Sequence, residues 1–135
     1  GPGRNAMDEG EFLVSIKLPL KNSSFSASYE RFIPRNEMDI AVAAVASSVS
    51  LENGKISSCR IALAAVGPTP IFAEEASKLL VGKEPSEENI KNASNKAKEL
   101  ASPISDMRGT VEHRKDLIEV LTRRTLSKAV ERVGV

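Results

Sequence analysis

The chain of 135 residues holds one cysteine, Cys59, one histidine, His113, one tyrosine, Tyr29, and no tryptophan. A zinc site of cysteines and histidines, or a cysteine-held iron-sulfur cluster, needs several such ligands. This chain can build neither by itself, and it can form no internal disulfide. The longest weakly polar stretch, Ile40 to Leu51, is broken by serines. It falls well short of the ~20 apolar residues that a membrane-crossing helix needs. An excess of one charge is also missing: 19 Lys and Arg stand against 18 Asp and Glu. No strong overall field therefore draws the chain to nucleic acid or to an anionic membrane. No secretory signal is read at the N-terminus, and a reduced, cytoplasmic compartment is expected.

What is present is the composition of a folded domain, with 41% hydrophobic and 27% charged residues. This length accommodates one domain with a real core. Gly1, Pro2 and Gly3 have the form of a tag-removal remnant. Residues 1–8 are accordingly set aside as that remnant and a disordered start, and residues 9–135 are expected to form a single domain.

Residues 12 to 18 alternate, with Phe12, Val14, Ile16 and Leu18 on one side and Leu13, Ser15 and Lys17 on the other. This predicts a half-buried first strand, stopped by Pro19. Phe25 to Ile33 reads as a second strand, closed by turn chemistry at residues 34–37. The Ala- and Val-rich run from Asp39 to Leu51 has no strict period. Asn53-Gly54 settles its reading, because both residues tolerate the positive φ of a type I′ turn, and Lys55 to Val66 is again strand-like. A long antiparallel hairpin follows, whose many alanines suggest a face closely covered by helices. Thr69 and Pro70 then read as the cap and first residue of a helix to Val81, stopped by Gly82. Ser86, with Glu87 and Glu88, caps a second helix to about Ala101. From Thr110 an apolar stripe through Val111, Leu117, Ile118, Leu121, Thr125, Ala129 and Val133 predicts a long amphipathic helix. Its cations, Arg114, Lys115, Arg123, Arg124 and Arg132, lie mostly off the stripe. The fold class is α+β: an antiparallel sheet of about four strands followed by three helices packed on one face.

Few residues suggest chemistry. His113 has no partner nucleophile at a telling spacing and reads as a surface or packing residue. Cys59 reads as a small core residue. Gly67-Pro68-Thr69-Pro70 lacks the glycine spacing and the following Lys-Ser/Thr of a phosphate loop, so it is taken as a turn. Asp106 and Arg108 are read as a structural pair that caps neighbouring backbone or makes a charge-assisted hydrogen bond. Two residues stand out: Leu13 is apolar on the polar side of its strand, and Arg31 is a cation near the end of the next. Together they point to a second surface over that face, a ligand or a neighbouring domain.

Several segments, in this order, resemble the C-terminal domain of the flavin-binding medium subunit of molybdenum hydroxylases, the carbon monoxide dehydrogenase and xanthine dehydrogenase family. They are Glu11 to Pro19, Ser28 to Phe32 with Asp39-Ile40-Ala41, Ile61 to Pro70, Pro103 to Thr110, His113-Arg114 and Leu121 to Arg124. The resemblance implies a non-catalytic domain that packs on a separate FAD-binding domain. The subunit would relay electrons from 2Fe-2S clusters to FAD and an acceptor. Its partners would be a large subunit with the molybdenum cofactor and an iron-sulfur small subunit. It also implies that Leu13 and Arg31 approach the flavin; arginine at Arg31 replaces the family's lysine and keeps its charge. The family's glycine-rich FAD loops are not in this chain, so FAD would bind only together with the other domain. The competing expectation is a stand-alone α+β protein-interaction module that uses its basic last helix.

Overall fold

A computed structural model describes residues 1, 3–18, 24–35 and 38–133. Its sheet has four antiparallel strands in sequential order: β1 (Phe25–Phe32), β2 (Ala43–Glu52), β3 (Lys55–Ala64) and β4 (Ile71–Phe72). Three helices follow, α1 (Glu74–Lys78), α2 (Glu87–Leu100) and α3 (Val111–Glu131). The α+β architecture is therefore the expected one, with the helices on one face.

The β2–β3 hairpin turns at Asn53 and Gly54, which have φ of 51° and 76°. Both lie in the left-handed region that a type I′ turn demands, and Glu52 pairs with Lys55 across it. Along these strands Val45, Val49, Cys59, Ile61 and Leu63 point to the helices and are buried. They pack with Leu80, Ala93, Ala97, Ile118, Leu126 and Ala129 into one core. Helical alanines let α2 and α3 come close, while the large side chains fill the space between layers.

Several polar side chains inside this core are tied to backbone or to one another. Thr125 Oγ1 meets Ser47 Oγ at 2.7 Å and lies 2.9 Å from the Leu121 carbonyl. The Ser77 hydroxyl accepts from the Ile61 amide at 3.0 Å and donates to the Ala73 carbonyl at 2.8 Å. These contacts clip helix to sheet and give the Ser47, Ser77 and Thr125 hydroxyls partners. The helix caps follow the sequence reading: the Ser86 side chain accepts from Asn89 N–H and that of Thr110 from His113 N–H.

Three expectations need correction. Residues 12–18 form no strand here; Phe12, Val14, Ile16 and Leu18 are 77, 82, 75 and 85% exposed. Alternation alone supplies no partner, and leaving such side chains in water forgoes about 1.5–3 kcal/mol each. Second, the helix expected from Pro70 to Val81 is largely replaced. Ile71 and Phe72 instead pair with Leu63 and Ala62, and the Ala73 amide donates to the Ile61 carbonyl. Pairing with a formed strand wins over helix initiation, and α1 begins only at Glu74, without a side-chain cap. Third, Ala27, Ala46 and Ala62 lie on the sheet face that the helices do not cover, with Tyr29 and Phe72 exposed beside them.

The Thr122 hydroxyl is buried among the described residues and has no hydrogen-bond partner. An unmet buried hydroxyl costs on the order of 1–3 kcal/mol. Thr122→Val removes it at nearly the same shape and should raise the thermal midpoint by a few degrees, read by calorimetry; a midpoint lowered by the same amount would show that the hydroxyl is satisfied in solution.

Candidate functional site

Two surfaces and one buried pair hold the candidate residues. On the open face, Tyr29, Ala46, Ala62 and Phe72 lie side by side across the four strands, as the pairings Tyr29–Ala46, Ala46–Ala62 and Ala62–Phe72 require. Two aromatic walls thus flank a floor of methyl groups. The resulting shallow groove, of about 530 Å³, is also lined by Ser48, Arg60 and Arg132. The Arg60 guanidinium sits 5.0 Å from the Phe72 ring centroid, within cation–π range.

Arg31 stands on this same open face, opposite Ala44 of β2, two residues beyond Tyr29. It is exposed, as is Phe32. Its neighbour Glu30 faces the other way and pairs with Lys128 of α3. Leu13 lies in the exposed segment ahead of the sheet rather than on one of its strands. The sheet therefore presents Arg31 where a covering surface would meet it, whereas Leu13 belongs to a separate stretch of backbone.

The loop end of the sheet carries a feature that helical periodicity hides. Arg114, expected off the apolar stripe, is buried. Its Nη2 donates to Asp106 Oδ1 at 2.7 Å, and its Nη1 to the carbonyls of Val42 at 2.7 Å and Ala65 at 3.3 Å. Asp106 Oδ1 also accepts from the Arg108 backbone amide at 2.8 Å. The structural reading of Asp106 is thus correct, but its side-chain partner is Arg114, not the Arg108 side chain. The Arg114 guanidinium, followed by the Arg108 amide, holds the Asp106 carboxyl below its ordinary range.

His113 is exposed and meets Phe32 edge-to-face, with ring centroids 6.0 Å apart. That is the packing contact expected of it. Burial pushes the Cys59 thiol up to about 12, so it stays protonated and inert as a nucleophile. No group of three or more acidic, histidine or cysteine side chains fit for a metal ion occurs among the described residues. Nor is any described helix long and apolar enough to cross a membrane. On α3 several cations are already engaged: Arg114 is buried, Lys128 pairs with Glu30, and Arg132 donates to the Ala27 carbonyl. Arg123 and Arg124 remain exposed on the same helix.

The described residues thus define a small α+β domain with one sheet face covered by helices and one open. Residues 28–129 match the CO dehydrogenase flavoprotein C-terminal domain, and the chain belongs to that family. It is 34% identical to the carbon monoxide dehydrogenase medium chain of Afipia carboxidovorans over 127 residues, 94% of this chain and 44% of that one. It is 27% identical to a xanthine dehydrogenase FAD-binding subunit of Escherichia coli, over 99% of this chain and 46% of that one. In structure it is similar to reconstituted CO dehydrogenase from Oligotropha carboxidovorans, with a TM-score of 0.87 at 34% identity, covering 94% of this chain and 44% of the other. The chain thus spans about half the length of the curated relatives it matches.

The Arg114 pair yields two expected outcomes. Arg114→Met strips a donor from the Val42 and Ala65 carbonyls, at about 1–3 kcal/mol for each left unmet. Denaturant titration should show the loss, with Arg114→Lys recovering only part because it lacks the planar fork. The second concerns pH. Asp106 has a folded-state pKa below its unfolded one, so its contribution is full above the unfolded value and disappears as pH falls through the folded one. The stability gap between the wild type and Asp106→Asn should therefore be widest near neutrality and close progressively on acidification below about pH 4.

Proposed function

We propose that this chain is the C-terminal domain of a flavoprotein subunit in a molybdenum hydroxylase complex. In that complex electrons pass from iron-sulfur clusters to FAD and on to an acceptor. The domain packs on an FAD-binding domain and does not catalyse alone. Molybdenum cofactor and 2Fe-2S clusters belong to a large and a small partner subunit. The observation that carries this reading is the open sheet face, with Arg31 and Tyr29 exposed on a domain whose sheet is otherwise finished by helices. A relative named as an FAD-binding subunit matches nearly the whole chain, which supports it.

The residues fit a flavin only at its edge. Arg31 offers a fixed positive charge and planar donors, and Leu13 offers an apolar contact. Nothing in the chain resembles a loop that would cradle the pyrophosphate. FAD, when bound, supplies the electron-accepting ring. Against such a ring Arg31 would stabilise negative charge, and Leu13 would exclude water. This division assigns tight binding to the other domain and adjustment of the ring's surroundings to this one.

The test is an FAD titration followed by flavin fluorescence. It uses this chain, the N-terminal half of the Afipia carboxidovorans medium chain, and their mixture. The mixture should hold FAD at least about tenfold more tightly than either piece, a difference of about 1.4 kcal/mol. Arg31→Ala should remove most of that gain and Arg31→Lys restore it. A mixture that binds no better than its components would refute the reading.

A further inference from the structure

Among the described residues Arg31 has no hydrogen-bond or ion-pair partner, so the backbone beneath it decides where its guanidinium stands. It is the penultimate residue of β1, and strand ends are where pairing opens most easily. This end is held at the next residue, Phe32, in two ways. The Phe32 carbonyl accepts from the Val42 amide at 2.9 Å, one step beyond the Phe32–Ala43 pair. The Phe32 ring meets the His113 ring edge-to-face, at 6.0 Å between centroids and 83° between planes. Val42 is itself fixed from α3, because its carbonyl accepts from Arg114 Nη1 at 2.7 Å. Consecutive residues in the first turn of α3 thus hold the side chain and, through Val42, the main chain of the residue beside Arg31.

That turn has little freedom. The Thr110 hydroxyl accepts from the His113 amide at 3.2 Å, and Arg114 is tied to Asp106. Gly109 lies so close that an added Cβ would stand 3.1 Å from His113 Cδ2 and 3.7 Å from Val42 Cγ1. Its missing side chain leaves room for the imidazole against Phe32. Neighbouring residues of a strand point to opposite faces. Clamping the Phe32 ring against α3 therefore sets the rotation of the strand end, and with it the direction in which Arg31 leaves the open face. We infer that His113 is a positioning residue for the flavin contact, acting through Phe32 on Arg31. The assignment rests on the proposed function and deepens it: Arg31 provides the charge, and His113 fixes where that charge is held. Arg114 has a wider structural duty, since it also holds Ala65 and Asp106, whereas His113 makes no side-chain hydrogen bond among the described residues. Phe32 is 38% exposed, so this ring pair adds little to the core and can be removed without unfolding the domain.

FAD titrations of this chain mixed with the N-terminal half of the Afipia carboxidovorans medium chain test it, with flavin fluorescence for affinity and visible absorption for the ring's surroundings. His113→Ala should weaken FAD binding about three- to tenfold, the fold-change to which one edge-to-face ring pair corresponds. His113→Phe, which keeps a ring, should restore it. With FAD and chain both saturating, the flavin absorption bands of His113→Ala should move from the wild-type position toward that of Arg31→Ala. In the double variant they should stay where Arg31→Ala alone puts them. Gly109→Ala keeps every named partner but crowds the imidazole, and should give a smaller shift in the same direction. The thermal midpoint of each isolated variant should stay within a few degrees of the wild type; Gly109→Ala carries the comparison if His113→Ala falls further. An affinity loss with wild-type absorption bands would mean that His113 serves only stability, and would overturn the positioning role. So would wild-type affinity in His113→Ala while Arg31→Ala binds weakly. If Arg31→Ala itself binds FAD like the wild type, or the mixture binds no better than its parts, the proposed function fails and the positioning role with it.

Discussion

The Arg114 guanidinium is the contact on which the loop end of the domain depends. Arg114 leaves the first turns of α3, and its donors reach Asp106 in the preceding loop, Val42 at the entry to β2 and Ala65 at the exit of β3. Four separate pieces of backbone thus converge on one side chain. Ala65 is a non-glycine residue with φ of 62°, an unfavourable left-handed conformation. A cation that holds its carbonyl helps to keep the chain there as it turns off the sheet. A buried charge is costly unless it is paired and hydrogen-bonded. Here the carboxylate provides the pairing and the two carbonyls much of the bonding, although Nε finds no partner among the described residues.

With that end fastened, the two faces of the sheet take different roles. One is closed by α1, α2 and α3 over Val, Ile and Leu side chains, with the Ser47–Thr125 and Ser77–Ile61 contacts fixing the layers in register. The other carries methyl groups flanked by Tyr29 and Phe72, with Arg31 and Arg60 beside them. Alanines on a covered face let helices approach; on an open face they let something else approach. The exposed surface is therefore suited to a neighbour whose own side chains are large. The segment 12–18 is different, because its large side chains are exposed and lie outside the sheet.

Local signals were the legible ones. Asn53-Gly54, Ser86 and Thr110 were readable because each solves a problem within four residues: a left-handed turn or an unmet N–H at a helix start. Cys59 was readable because strand alternation places it on the apolar side. Arg114 was not, since a cation near the start of an amphipathic helix reads as solvated unless its distant partners, Val42 and Ala65, are known. The strand at Ile71 and Phe72 was hidden for the same reason: Thr69-Pro70 is a sound helix start locally, and only the presence of β3 alongside outbids it. At residues 12–18 the alternation is real, but a strand needs an edge to join, and among the described residues this segment pairs with none. At the proposed flavin site, the residue pattern marks Leu13 and Arg31 as unusual, and the resemblance adds the flavin. The structure adds that Arg31 is presented on an open face, and that Leu13 is presented on different backbone.

Poverty in cysteine, histidine and glycine loops takes on a specific meaning in this setting. A domain that held its own cofactor would need ligands or a phosphate cradle converging on one point. This chain instead spreads its unsatisfied features: a groove floored by methyl groups, an exposed cation at the end of β1, and an apolar strand without a sheet. Their separation over distinct parts of the chain suits a surface that must contact one partner at several points, because a single contact would fix position but not orientation. On the reading proposed above, a flavin edge would meet both Arg31 and Leu13 only if the sheet and the segment ahead of it faced the same partner. On the proposed reading, cofactor contact depends on domain assembly, and the residues offered to the cofactor lie on surfaces that this domain leaves open.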